Sequence, residues 1–312
     1  MRAVSRAEFD GPAASPPARS QTPAAMLQSK PPMKRVLAAA LGVLALCMAT
    51  ADHLAGSQPA PLRVFLRGGP KTHGPAGDGH HDGPTFVKEW TPLLQSRGAK
   101  VDGALTFPAA DQLAATDVLV LFCANGGDIS PADRPAFDAF LSRGGGIVAL
   151  HDAVLSREPQ WFKTVIGGAW ENRVAKYYEG ENTYYYVNTE HPITKGASNF
   201  AIDDEVYWDL HLMPDINILQ ATMQPPRQGS GRGAAPETQT APGIGKLIPQ
   251  MWTYEHTLPG GQPYRAVVSI LGHNFSTFSS PHVRAIFLRA IAWAGRRDVD
   301  SLATVDEVAA LK

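Results

Sequence analysis

The sequence has few cysteines, no run of like charges and none of the common nucleotide-binding or metalloprotease motifs. Of its 312 residues, 2 are Cys and 18% are charged, with 28 Lys and Arg against 29 Asp and Glu. Phosphate recognition requires clustered basic side chains, so neither nucleic acid nor an anionic membrane surface is expected as the main partner. The frames GxGxxG, GxxxxGK[ST], HExxH and CxxC are all absent, so there is no nicotinamide fingerprint. A hydrophobic fraction of 44% predicts a globular protein with a large core.

The first 51 residues are typical of an export signal. Residues 1–32 are rich in Pro, Ala and Ser, and Lys34 and Arg35 then precede an apolar run from Val36 to Ala49. That run is shorter than a membrane span, and the small residues that follow it predict cleavage after Ala51. We therefore expect translation to start at Met26 or Met33 and the mature chain to be periplasmic or secreted, with no stable membrane span. The alternative is an uncleaved N-terminal anchor.

Removal of the signal leaves a mildly acidic chain with one thiol. The mature part holds 22 basic and 27 acidic residues, and Cys47 is lost with the signal. Cys123 alone cannot form an internal disulfide, so stability must come from the core. Because Cys123 ends an apolar run, a buried thiol is favoured over a nucleophile.

Short apolar strands alternate with amphipathic helices in the first half of the mature chain. This alternation is typical of a parallel sheet covered by helices on both faces, and it predicts a doubly wound, flavodoxin-like α/β fold. The predicted strands are 62–66, 100–102, 117–122 and 147–150, and the helices are 84–97 and a second one from Pro131 to Gly144.

The second half differs, because four strand-like segments follow one another with little helix between them. They predict a β-rich insertion, and residues 225–245, rich in Pro, Gly, Gln and Thr, predict a mobile loop. A strand at 266–271 and a helix at 281–294 restore the α/β pattern. We therefore expect one domain over residues 62–296, followed by a C-terminal tail, 297–312.

Polar side chains follow several of the predicted strands, where doubly wound sheets bind their ligands. Imidazoles near a carboxylate can act in acid–base chemistry or bind a divalent metal. The candidate catalytic residues are His151, His273, Asp152 and Glu205; the candidate substrate-binding residues are His80, His81, Asn125, Tyr207, Trp252 and Glu255; the metal candidates are His81, His151 and His273. Loop histidines bonded to backbone remain the alternative for each of these imidazoles.

Seven segments of the chain resemble one known family. They are 79–82, 144–153, 166–168, 191–196, 204–207, 252–253 and 271–273. In this order they resemble the ThuA-like (trehalose utilisation) family, whose fold is similar to the class I glutamine amidotransferase domain. The resemblance implies carbohydrate utilisation. His151 and Asp152 stand at the turn where amidotransferases carry a nucleophilic Cys, so thiolate-dependent glutamine hydrolysis is excluded at that position.

The sequence therefore predicts a carbohydrate-processing protein with a His-lined crevice at the strand ends. Trp170, Tyr207 and Trp252 could offer flat faces to a sugar ring, and a divalent metal could assist the reaction. The alternative is a non-catalytic sugar-binding or accessory module that uses the same crevice.

Overall fold

The computed structural model describes residues 60–72, 74–75, 77–225 and 245–312. The predicted export signal and nearly all of the predicted loop at 225–245 lie outside the described residues, as does His73, a further histidine of the loop after the first predicted strand. Within the described part of the chain, no helix is long and apolar enough to cross a membrane.

Strands and helices alternate through the first half, as the sequence predicts. The elements are β1 (Arg63–Arg67), α1 (Gly83–Ser96), β2 (Lys100–Ala104), α2 (Ala110–Ala114), β3 (Val118–Leu121), α3 (Arg134–Ser142), β4 (Gly146–Leu150) and α4 (Pro159–Ile166). The helix expected from Pro131 begins later, at Arg134, because residues 131–133 form a turn.

The second half is mainly β-structure until the last two helices. Its elements are β5 (Gly168–Ala169), β6 (Lys176–Tyr186), β7 (Phe200–Trp208), β8 (His211–Leu212), β9 (Asn217–Met223), β10 (Leu247–His256), β11 (Tyr264–Ser269), α5 (Pro281–Ala294) and α6 (Val305–Ala309).

One mixed sheet organises the fold, with the strand order β2-β1-β3-β4-β11-β10-β9-β6-β7. The strands from β2 to β11 in this order run parallel. Strands β10, β9, β6 and β7 extend the same sheet in antiparallel fashion. The predicted doubly wound α/β fold with a β-rich insertion is confirmed, and the insertion forms one side of the sheet.

Helices cover both faces of the parallel strands, so adjacent residues of one strand enter different cores. Val64 and Leu66 pack in the layer beneath α1 and α5. Phe65 packs in the layer beneath α3 and α4. Because both faces are buried, these strands are apolar throughout rather than alternating.

The start of α1 is fixed by its sequence. The Asp82 side chain accepts a hydrogen bond from the Thr85 N–H at 3.0 Å, and a proline stands in the first turn. Phe86, Trp90 and Leu94, spaced four apart, form the buried face of the helix. This anchors the loop before α1, which carries two of the candidate histidines.

The C-terminal residues do not form the expected tail. Leu302 and Leu311 are buried in the core layer of α5. Glu307, in α6, is 4% exposed and forms ion pairs with Arg97 and Arg284. Residues 297–312 therefore complete the domain, because they cover apolar surface that α1 and α5 would otherwise expose.

Candidate active site

Two loops bring three histidines together at the carboxyl ends of the parallel strands. The N–H of His81 donates to the carbonyl oxygen of His273 at 3.1 Å, and the N–H of Phe275 donates to that of Gly79 at 2.8 Å. His80 forms an isolated antiparallel bridge with Asn274. The loop after β1 is thereby joined to the loop after β11, although more than 190 residues separate His81 from His273.

His151 reaches the same point from β4. Strands β4 and β11 are parallel neighbours that end together. Nδ1 of His151 lies 2.8 Å from the carbonyl oxygen of Ile270, just beyond β11. Both His81 and His151 have left-handed backbones, with φ of 43° and 52°. Such conformations are costly for residues other than glycine and concentrate at functional sites.

The remaining polar groups come from the β-rich insertion. Glu205 and Tyr207 are two positions apart on β7, so their side chains point to the same face of the sheet. On β6, Glu179 is paired with Glu205 and Tyr177 with Tyr207. Two carboxyl side chains thus lie directly opposite each other on neighbouring strands, an arrangement that is unfavourable when both are charged.

A glutamine holds β7 near the histidines even though β7 lies at the edge of the sheet. The register of β10 against β9 shifts between Pro249 and Met251, and Gln250 lies at this irregularity. Its side-chain N–H donates to the carbonyl oxygen of Tyr207 at 2.7 Å, and its oxygen accepts from the Tyr207 N–H at 3.1 Å. The insertion consequently folds back over the ends of the parallel strands.

The side chains meet at short distances. Nε2 of His81 lies 2.8 Å from Nδ1 of His273 and 3.0 Å from Nε2 of His151. Oε2 of Glu205 is 3.5 Å from both His151 Nε2 and His273 Nδ1. These four side chains offer ligand atoms within 4.8 Å of one another, so together they could hold a metal ion.

Tyr207 and Asp152 join the cluster from the side. The Tyr207 hydroxyl lies 2.8 Å from Oδ1 of Asp152 and 3.0 Å from Oε2 of Glu205. Oδ2 of Asp152 is 2.6 Å from Nδ1 of His81. Tyr207 is 3% exposed, and burial raises its pKa well above the usual range, so its hydroxyl keeps its proton.

The pKa values of the two carboxyl groups shift in opposite directions. Burial raises the pKa of Glu205 to about 8, with the Tyr207 hydrogen bond only partly opposing the shift. Burial also raises the pKa of Asp152, but the charge of His151 and hydrogen bonds from His81 and Tyr207 outweigh it, so this pKa lies below its usual range. Asp152 is therefore an anion at neutral pH, whereas Glu205 holds a proton unless a cation replaces it.

Asp204 lies beneath the cluster and is fully buried. Its carboxylate accepts hydrogen bonds from the N–H groups of Gly272 at 3.2 Å and His273 at 3.0 Å, and from the Thr277 hydroxyl. The N–H of Glu205 also donates to it, at 2.7 Å. Burial raises the pKa of Asp204 to about 6, although these hydrogen bonds oppose the shift.

The cluster, apart from the fully buried His151, forms the floor of a cavity of about 450 Å³. His80 and Glu179, at the mouth, have side chains that are 33% and 50% exposed. Trp170 contributes an aromatic wall, with its ring 4.7 Å from that of Tyr207 and 6.4 Å from that of Tyr177. The lining residues are His80, His81, Asp152, Leu155, Trp170, Asn172, Tyr177, Glu179, Glu205, Tyr207 and His273.

Most of the sequence-predicted site residues thus meet in one place, but three do not. Trp252 is fully buried and donates its indole N–H to the carbonyl oxygen of Ile166, so it belongs to the core. Glu255 is exposed and pairs with Arg265 at the opposite end of the strands, because β10 runs antiparallel to the strands that end at the site. Asn125 lies in the loop after β3 with a left-handed backbone and does not line the cavity.

Sequence reasoning missed several residues of the site: Tyr177, Glu179, Asn172 and the buried Asp204. Tyr177 and Glu179 are two positions apart in the sequence, a spacing that places both on one face of a strand. This spacing indicates a place in the site only when β6 is known to pair with β7. Cys123, in contrast, is buried, and burial raises the pKa of its thiol, in agreement with a core role.

Comparison with known proteins identifies the family. The model of the family described as trehalose utilisation (ThuA) matches residues 72–294. A ThuA-like protein from Parabacteroides merdae superposes with a TM-score of 0.55 at 17% identity, covering 75% of this chain and 90% of that one. A ThuA-like protein from Bacteroides uniformis gives 0.49 at 17% identity, covering 77% and 95%. No curated protein matches the sequence.

The amidotransferase likeness is more distant. A glutamine amidotransferase from Thermotoga maritima gives a TM-score of 0.34 at 10% identity, covering 80% of this chain and 96% of that one. The family model spans well over half of the chain and all of the residues that line the cavity. The chain therefore belongs to the ThuA (trehalose utilisation) family.

Proposed function

We propose that this protein is an exported enzyme that binds a sugar in the cavity and transforms it at the histidine cluster. One observation carries the proposal: reactive polar groups form the floor of a cavity whose wall is aromatic. The faces of Trp170 and Tyr177 suit the apolar face of a sugar ring, and polar groups at the floor suit its hydroxyls. Membership of a family described as trehalose utilisation supports a carbohydrate.

The make-up of the floor favours catalysis over binding alone. His151 is fully buried and Glu205 is 6% exposed. Sugar hydroxyls need hydrogen-bond partners but not buried ionisable groups, which are costly to desolvate. Two neighbouring carboxyl groups whose pKa values move in opposite directions are typical of an acid–base site. We therefore favour an enzyme over an accessory module.

A thermal-shift panel tests the sugar. We expect trehalose or another disaccharide to raise the melting temperature of the wild-type protein, because a ligand that binds only the native state stabilises it. Trp170→Ala should abolish that shift. Trp161→Ala is the matched control, since Trp161 is a half-buried tryptophan of α4 that does not line the cavity. Equal loss in both variants would contradict the assignment of the wall.

Product analysis tests the enzyme. Each sugar that binds is incubated with the protein, with and without added divalent metal, and the mixture is followed by proton NMR. We expect conversion by the wild type and none by His151→Gln. A sugar that binds but stays unchanged, with binding unaffected in His151→Gln, would identify an accessory module instead.

A further inference from the structure

Four donor atoms from four separate segments point to one spot. They are Nε2 of His81, Nε2 of His151, Nδ1 of His273 and Oε2 of Glu205, named here the donor cluster. Neighbouring atoms in it are 2.8, 3.0, 3.5 and 3.5 Å apart. Three imidazoles are rarely brought so close by packing alone, because each ring is polar and needs a hydrogen-bond partner for both nitrogens.

The outer nitrogens decide where the protons are. Nδ1 of His151 faces the carbonyl oxygen of Ile270, which can only accept, so this nitrogen carries a proton. Nδ1 of His81 lies 2.6 Å from Oδ2 of Asp152 and 3.0 Å from the Thr72 hydroxyl oxygen, either of which can accept a hydrogen bond from it. Nε2 of His273 faces Glu179 at 3.6 Å.

The inner nitrogens of the rings also lie close together. Nε2 of His81 is 3.0 Å from Nε2 of His151, and the Tyr207 hydroxyl is 3.1 Å from the same His151 nitrogen. A metal ion bound between the rings would take a lone pair from each inner nitrogen. Carboxylate or carbonyl partners on the outer nitrogens of metal-bound histidines are the usual way in which such rings are oriented.

We infer that His81, His151, His273 and Glu205 bind one divalent first-row transition metal ion. Bonds of about 2.0 to 2.1 Å place the ligands of a tetrahedral ion about 3.3 Å apart, close to the spacing of the donor cluster. Three imidazoles and one carboxylate suit ions such as Zn²⁺, Co²⁺ or Mn²⁺, whereas Ca²⁺ and Mg²⁺ prefer oxygen ligands.

The donor cluster lies where a bound ion could take part in a reaction. Three of its residues, His81, Glu205 and His273, line the cavity. A substrate oxygen or a water in the cavity could therefore reach the ion, which would polarise it as a Lewis acid. Binding of the ion requires no sugar, so the metal centre does not depend on the proposed function.

Co²⁺ titration tests the inference directly. Purified protein is stripped with a chelator and titrated with Co²⁺, whose visible absorption reports ligand number and geometry; Zn²⁺ competition then gives the affinity. We expect one ion per chain in the wild type. His81→Gln and His273→Gln should bind at least about 100-fold more weakly, and Asp152→Asn, which removes an outer partner, about 10 to 100-fold more weakly. His211→Gln is the matched control, because His211 pairs with Glu171 away from the cluster.

Each result has a clear meaning. A graded loss from the control to the ligand variants supports the metal centre. No stoichiometric binding by the wild type, or equal affinity in the ligand variants and the control, overturns it. Circular dichroism of the metal-free variants checks that they fold, and Glu205→Gln, which keeps the shape of the side chain, provides a second test if a histidine variant does not. Metal binding without any response to sugars would contradict the proposed function and leave the metal centre intact.

Discussion

The carboxylate of Asp204 accepts the backbone N–H of His273 at 3.0 Å and the backbone N–H of Glu205 at 2.7 Å. One buried side chain thus ties β7 to the loop after β11. Two members of the donor cluster owe their relative position to it, although Asp204 itself does not line the cavity.

Asp204→Asn should destabilise the protein. The amide NH₂ of Asn would face N–H and O–H donors, so at least one buried hydrogen bond to a charged group is lost, which costs about 1 to 3 kcal/mol. Urea denaturation measures the change. Asp203→Asn is the matched control, since Asp203 is the exposed neighbour on the same strand. Equal midpoints for the two variants would show that the hydrogen bonds to Asp204 contribute little.

The stability of the metal-free protein should fall as pH rises from about 5 to 8. Burial raises the pKa of Glu205 from 4.5 to about 8, so the folded chain binds this proton more tightly than the unfolded chain. The stabilisation is complete below the unfolded pKa and is lost as pH approaches the folded value, with a slope of at most about 1.4 kcal/mol per pH unit.

Glu205→Gln isolates this effect, because it removes the titrating group. Chemical denaturation of both proteins in chelator across this pH range should give curves that diverge, with the wild type becoming less stable than the variant. Curves that stay parallel would mean that Glu205 titrates in its ordinary range.

Trp252→Ala should damage the fold rather than the site. The side chain is fully buried between strands and helices, and truncation of such a residue costs about 3 to 5 kcal/mol. Thermal melting should show a large drop, whereas Co²⁺ affinity below the melting temperature should be unchanged. Loss of metal affinity in a variant that is still folded would indicate that Trp252 contributes to the site.

The export proposal predicts a chain that begins at residue 52. Lys34, Arg35 and the apolar run that follows motivate it. Intact mass of the protein recovered from the bacterial envelope should match residues 52–312. A mass that includes residues 36–49 would instead indicate a retained anchor.

The central strands and the helices beside them could be predicted from the sequence because burial on both faces makes strands such as Val118–Leu121 apolar throughout. The histidines could be located for a related reason, since parallel strands end at one edge of a sheet. The direction of β10 could not be predicted. This is why Glu255 was expected at the wrong end of the strands. Strand direction depends on connections, which hydrophobic patterns do not report.

The contribution of the insertion was equally hidden. Glu179 and Glu205 are 26 positions apart, and only the pairing of β6 with β7 makes them neighbours. Trp252 was expected at the cavity because aromatic residues suit both cores and sugar sites, and composition does not separate the two. Asp204 falls in a segment that resembles the family, but its role could not be predicted, since its partners are mostly backbone N–H groups that every sequence supplies.

The left-handed backbones of His81 and His151 have a consequence for mutational scanning. At most buried positions, glycine is the more damaging replacement, because it removes as many contacts as alanine and adds chain entropy. At φ of 43° and 52°, alanine keeps the unfavourable torsion and glycine releases it. Glycine should therefore be the less damaging replacement at these two positions. The difference in unfolding free energy between the alanine and glycine variants would measure the cost of the left-handed backbone that holds each imidazole in place.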